Sequence, residues 1–109
     1  MEAIVIFITA PNEEEGAMIA RALVEERLAA CVNIVKPIRS IYRWQEKIED
    51  DMETLLIVKT RKQLFGSLEN RVRELHSYTV PEIIAVPVVD GSGEYLKWLQ
   101  EVTGQPDER

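Results

Sequence analysis

Ala3-Ile4-Val5-Ile6-Phe7-Ile8-Thr9 is apolar on both of the faces an extended chain presents. That is the pattern of a strand covered on each side, and so central in its sheet. Pro11 breaks it, Asn12 is suited to cap a helix, and Glu15 completes a capping-box-like signal. Ala20, Leu23, Val24 and Leu28 then recur at helical spacing, with Glu13, Glu14, Arg21, Glu25 and Glu26 mostly on the other face. A strand followed by an amphipathic helix is half of a split βαβ unit.

The second half follows after a hairpin. From Cys31 to Trp44, and again from Lys47 to Lys59, β-branched and aromatic residues dominate, with Gln45 and Glu46 between the two stretches. Thr60 and Gln63 resemble another capping box, and Leu64, Leu68, Val72 and Leu75 form the apolar stripe of a second helix ending near His76. Pro81 opens a short strand, Ile83 to Val89. Asp90-Gly91-Ser92-Gly93 turns into a third helix with Leu96, Leu99 and Val102 on one side and Gly104 as its stop.

The order βαββαβ with an extra C-terminal helix predicts a ferredoxin-like α+β (α/β) sandwich with strand order 4-1-3-2. Pro37 and Pro87 fall in the two edge strands of that order, where a ladder donor is dispensable. Strands three and four are expected to run in the direction of strand one. Lys59 and Glu82 would then lie at opposite ends of the sheet.

The 109 residues suit one domain, assigned to 1–104, with a polar tail at 105–109. With 46% hydrophobic and 29% charged residues a packed core is expected. A net charge of −6 argues against nucleic-acid or anionic-membrane partners. The longest apolar run is too short for a membrane span, no charged segment of a secretory signal precedes it, and Cys31 is the one cysteine. These features lead us to expect a cytoplasmic protein.

No phosphate loop, dinucleotide fingerprint, zinc-protease motif, CxxC or nucleophile elbow is present, which argues against an enzyme. Cys31, flanked by apolar residues, reads as a small buried hydrophobe in preference to a reactive or metal-binding thiolate, and His76 as a helix-end residue as readily as a metal ligand. Tyr42 and Trp44 share one face of the hairpin, far from the core one small domain could offer, and so are expected to meet another subunit. Glu49, Asp51 and Glu53 also share a face, without calcium-loop spacing, and read as solvated.

Several segments together resemble the CutA divalent-cation tolerance family. They are Thr9-Ala10-Pro11, Glu26 to Asn33, Ser40-Ile41-Tyr42-Arg43-Trp44, Glu53 to Thr60, Leu75 to Ile83 and Tyr95 to Leu99. The resemblance implies a ferredoxin-like protomer, a homotrimer held by extended hairpins, and a role in tolerance of divalent cations, notably copper. It further implies an inter-subunit ligand cleft lined by Cys31, Tyr42, Trp44, Lys59, His76, Tyr78 and Glu82, with His76 as the metal-ligand candidate.

The chain departs from the family pattern at Ser77, where proline is usual, and at Glu46, where glycine is usual. Ile8 and Leu75 stand where the family's copper ligands would be, so only His76 carries over. One cysteine and one histidine per chain cannot close a transition-metal site. No tightly bound cofactor is therefore expected, and Cu(II) or another divalent cation should bind weakly. The leading expectation is a non-catalytic trimeric binding or signalling module. A direct copper-binding protein and a small-molecule enzyme using Lys59, His76 and Glu82 are the alternatives.

Overall fold

The structure is a computed structural model that describes residues 1–104; the tail assigned to 105–109 lies outside the described residues. The elements are β1 (Ala3–Ala10), α1 (Glu13–Glu25), β2 (Cys31–Trp44), β3 (Lys47–Arg61), a 3-10 turn (Lys62–Leu64), α2 (Phe65–Leu75), β4 (Ile83–Pro87) and α3 (Gly93–Val102). One four-stranded sheet has the order β2-β3-β1-β4, the predicted ferredoxin-like topology read from the other edge. Pro37 and Pro87 lie in its two edge strands.

Strand direction is a correction. β3 and β4 both run antiparallel to β1, not along it. They remain parallel to each other, so the expected separation of Lys59 from Glu82 survives. Val5 pairs with Lys59, whereas Glu82 precedes Ile83, which pairs with Ile8. At about 3.3 Å per residue the two charges are offset by roughly 10–13 Å along the sheet.

Period-2 alternation places Ile4, Ile6, Ile8, Leu56 and Val58 on one face, where they bury against Ile19 and Leu23 of α1 and Leu68 and Val72 of α2. Gly16 lets α1 approach closely, since a Cβ there would lie 3.2 Å from Thr54 Cγ2. On the opposite face α3 covers one end, with Leu99 packed near Ala3 and Ala30. Beyond it Val5, Phe7, Leu55 and Ile57 are only half-buried, and Ile84 and Val86 are exposed.

Two cap readings change. Asn12 Oδ1 accepts the Glu15 N–H at 2.8 Å as expected, but the Glu15 carboxylate does not complete the box: it accepts from the backbone N–H and hydroxyl of Ser77. Thr60 caps nothing. It stays in β3, and its hydroxyl donates to the Leu28 carbonyl at 2.7 Å, because that carbonyl is left over beyond the end of α1. At the hairpin tip Gln45 and Glu46 have φ of 50° and 67°. Both central residues are thus left-handed, the requirement of a two-residue type I′ turn, even though neither is glycine.

Candidate functional site

The far half of the hairpin projects past the end of β1 and makes one wall of a cavity of about 690 Å³. Beyond the irregularity between Val35 and Ile38, alternate residues Ser40, Tyr42 and Trp44 of β2 pair with Asp51, Glu49 and Lys47 of β3. Ser40, Tyr42, Trp44 and Glu53 line the cavity from this side. The opposite wall is the segment between α2 and β4, which contributes Tyr78, Thr79, Val80 and Glu82, and Thr9 closes the floor.

That opposite wall is fixed by His76 and Glu15. His76 is buried, and its Nε2 lies 2.7 Å from the Thr9 carbonyl, while its Nδ1 accepts the Tyr78 N–H at 3.0 Å. Nε2 therefore carries the proton that the Thr9 oxygen accepts. The Glu15 carboxylate lies 3.4 Å from Nδ1 and holds Ser77 through its N–H at 2.9 Å and its hydroxyl at 3.0 Å. A proline at position 77 would have no N–H to give, so here hydrogen bonds hold the segment instead of ring stiffness.

The polar groups in the cleft are arranged in pairs. The Tyr42 hydroxyl donates to Asp51 at 2.8 Å, which pushes the Tyr42 phenol up to about 12. The Tyr78 hydroxyl donates to Glu53 at 2.8 Å, and burial followed by this bond raises the Tyr78 phenol also. Glu82 is raised as well, first by burial and then by the negative charge of Glu53. Glu53 itself is only 7% exposed. The expectation of a solvated acidic face therefore fails at Glu53, because Tyr78 folds over it.

Of the seven residues implied for the cleft, Tyr42, Trp44, Tyr78 and Glu82 line it, and His76 stands just behind its wall. Cys31 and Lys59 do not join them. They face each other across β2 and β3 near the other end of the sheet, with the Cys31 Sγ 3.9 Å from Asn33 Oδ1. The proposed acid–base trio of Lys59, His76 and Glu82 is accordingly not assembled within one chain. Sequence reasoning missed Glu53, Thr9 and Glu15. Glu53 was detectable as the third member of the alternating acidic face, but nothing local marks the other two.

The residues do not fit a resident transition metal within one chain. Both His76 nitrogens are engaged, Cys31 is remote, and no three His, Cys, Asp or Glu side chains among the described residues are grouped to hold an ion. Within one chain the His76 ring is engaged with backbone groups at both nitrogens.

The chain is thus a ferredoxin-like α+β domain that carries an aromatic and acidic cleft at one end of its sheet. Residues 4–102 match the family model for the CutA1 divalent ion tolerance protein, and the chain belongs to that family. It is 58% identical over 100 residues to the divalent-cation tolerance protein CutA of Thermus thermophilus, covering 92% of this chain and 97% of that one. It is 50% identical over 97 residues to human Protein CutA, covering 89% of this chain but 54% of that protein. Among solved structures, CutA1 from Oryza sativa superposes with a TM-score of 0.94 at 45% identity, covering 96% of each chain. The Thermus thermophilus structure gives 0.92 at 57% identity, covering 94% and 99%. The role is thus in tolerance of divalent cations, the property for which the family is named.

Proposed function

We propose that the chain works as a homotrimeric, non-catalytic binding or signalling module, in which neighbouring copies pack on the open sheet face and the hairpin and a small ligand occupies the cleft between them. The observation that carries this reading is apolar surface that one chain leaves uncovered. Along the hairpin Ile48 and Met52 are 61% and 56% exposed and Ile41, at the edge of the cleft, is 64% exposed, and Tyr42, Trp44, Ile84 and Val86 are exposed as well. Patches of this kind mark interfaces, and a second and third copy supply matching apolar faces under closed symmetry. Such packing would also give Cys31 and Lys59 a way to reach a cleft from which their own chain excludes them.

Light scattering at micromolar concentration should report three chains per particle; a stable monomer refutes the assembly. Copper is the cation this proposal names, met weakly and through groups from more than one subunit. Calorimetric titration of metal-free protein with Cu(II) or Zn(II) should give micromolar or weaker binding. Nanomolar binding at one ion per chain, abolished by Cys31→Ser, would refute that part. The proposed compartment is the cytoplasm, on the free cysteine; relatives named chloroplastic and periplasmic show that the family is not confined to one. No helix among the described residues is long and apolar enough to cross a membrane.

A further inference from the structure

Residues 77–82 join α2 to β4 as neither helix nor strand, and none of them is buried. Leu75 before the segment and Ile83 after it pack on the core, and His76 is buried, whereas no side chain from 77 to 82 joins that core. Yet Ser77, Tyr78, Thr79, Val80 and Glu82 form one wall of the cavity. A segment with fixed ends, no buried apolar side chain and few polar ties opens at a fraction of the free energy that unfolds the chain.

Among the described residues, the side-chain ties of this segment to other elements run to two carboxylates. Ser77 donates its N–H at 2.9 Å and its hydroxyl at 3.0 Å to Glu15 Oε2 on α1, and the Tyr78 hydroxyl donates to Glu53 Oε2 on β3 at 2.8 Å. The Glu15 side chain is 15% exposed, so its two bonds are charge-assisted and water competes little for them. Gly16, next to it, lets α1 pack directly on Thr54, the neighbour of Glu53. The Tyr78 N–H reaches His76 Nδ1 only while Ser77 is held.

We propose that residues 77–82 are a lid that swings off the Glu53 carboxylate while the rest of the fold stays intact, and that Glu15 is the positioning residue that latches it. Its use in admitting a ligand rests on the reading of the cleft as a ligand site; its opening does not. A proline at position 77 is a second way to hold the lid. His76 has φ of −80° and ψ of 138°, the extended backbone that a following proline requires, and proline dispenses with the N–H that Glu15 accepts.

The test is amide hydrogen exchange of the assembled protein, followed residue by residue by NMR as urea is raised below the unfolding transition. The Ser77 and Tyr78 amides should be protected roughly a hundredfold less than those of β1, at rates that low urea does not change, because a local opening exposes little surface. Glu15→Gln should speed both amides about five- to tenfold and leave β1 unaffected, since a neutral acceptor replaces a charged one. In a Ser77→Pro background the same change should leave the Tyr78 amide unaltered. Exchange of Ser77 and Tyr78 that rises with urea in step with β1 overturns the lid, whether the core or a neighbouring copy clamps the segment. No acceleration by Glu15→Gln, or equal acceleration of Tyr78 with and without Ser77→Pro, overturns the latch. Light scattering on the same sample separates the two readings: a trimer whose lid stays shut refutes the lid alone, whereas a monomer refutes the assembly.

Discussion

His76→Ala distinguishes a structural histidine from a metal-binding one, and its cost can be worked from the two hydrogen bonds of the ring. Removal of the imidazole leaves the Tyr78 N–H without its acceptor and the Thr9 carbonyl short of a donor. A buried group left unpaired costs about 1–3 kcal/mol. The ring is also enclosed, so its loss opens a void beside Thr9. Together these predict roughly 2–5 kcal/mol of destabilisation, read by urea unfolding at fixed protein concentration, because an assembling chain has concentration-dependent stability. The measurement is made in excess chelator. A structural histidine costs the same with or without metal, whereas a ligand histidine costs stability only when metal is present. Unfolding free energy within about 0.5 kcal/mol of the parent in chelator would refute the reasoning.

Trp44→Ala should weaken assembly by about 2–4 kcal/mol and Glu49→Ala by well under 1, measured as dilution midpoints by light scattering, since a central aromatic outweighs a rim charge; equal effects would contradict the hairpin interface. Glu46→Gly should stabilise by about 0.5–1 kcal/mol in chemical unfolding, because glycine reaches the φ of 67° that costs other residues. Loss of stability there would mean that the Glu46 side chain does something else. The Tyr42 phenol, near 10 when unfolded and held to about 12 by Asp51, contributes stability that is complete below about pH 10 and is lost as pH rises through about 12. Asp51→Asn should bring its ultraviolet titration back toward 10, and an unchanged midpoint would refute the hydrogen bond as the cause.

The topology was legible because it depends on patterns that repeat along the chain. The two-sided apolar run Ala3 to Thr9 marks a central strand, and the prolines at 37 and 87 mark edges, because each signal follows from backbone geometry at its own position. Tyr42 and Trp44 could be placed on one face for the same reason. Strand direction also follows from the chain order, because a β2-β3 hairpin between two helix crossovers forces β3 and β4 antiparallel to β1, and the contrary expectation conflicted with that topology. What the chain order could not reveal was the partners of side chains far apart in sequence. Thr60 has the composition of a helix cap, yet its hydroxyl meets a carbonyl 32 residues away. Glu15 has the spacing of a capping box and is taken by Ser77, 62 residues on. Local propensity differs between such alternatives by a kilocalorie or so, less than the cost of leaving a buried group unpaired, so tertiary packing decides. The cleft follows the same rule. Composition and alternation set Glu53 on the acidic face of β3, but only the fold lays Tyr78 over it, removes it from water and gives its carboxylate the Tyr78 hydroxyl, 25 residues on, as a partner.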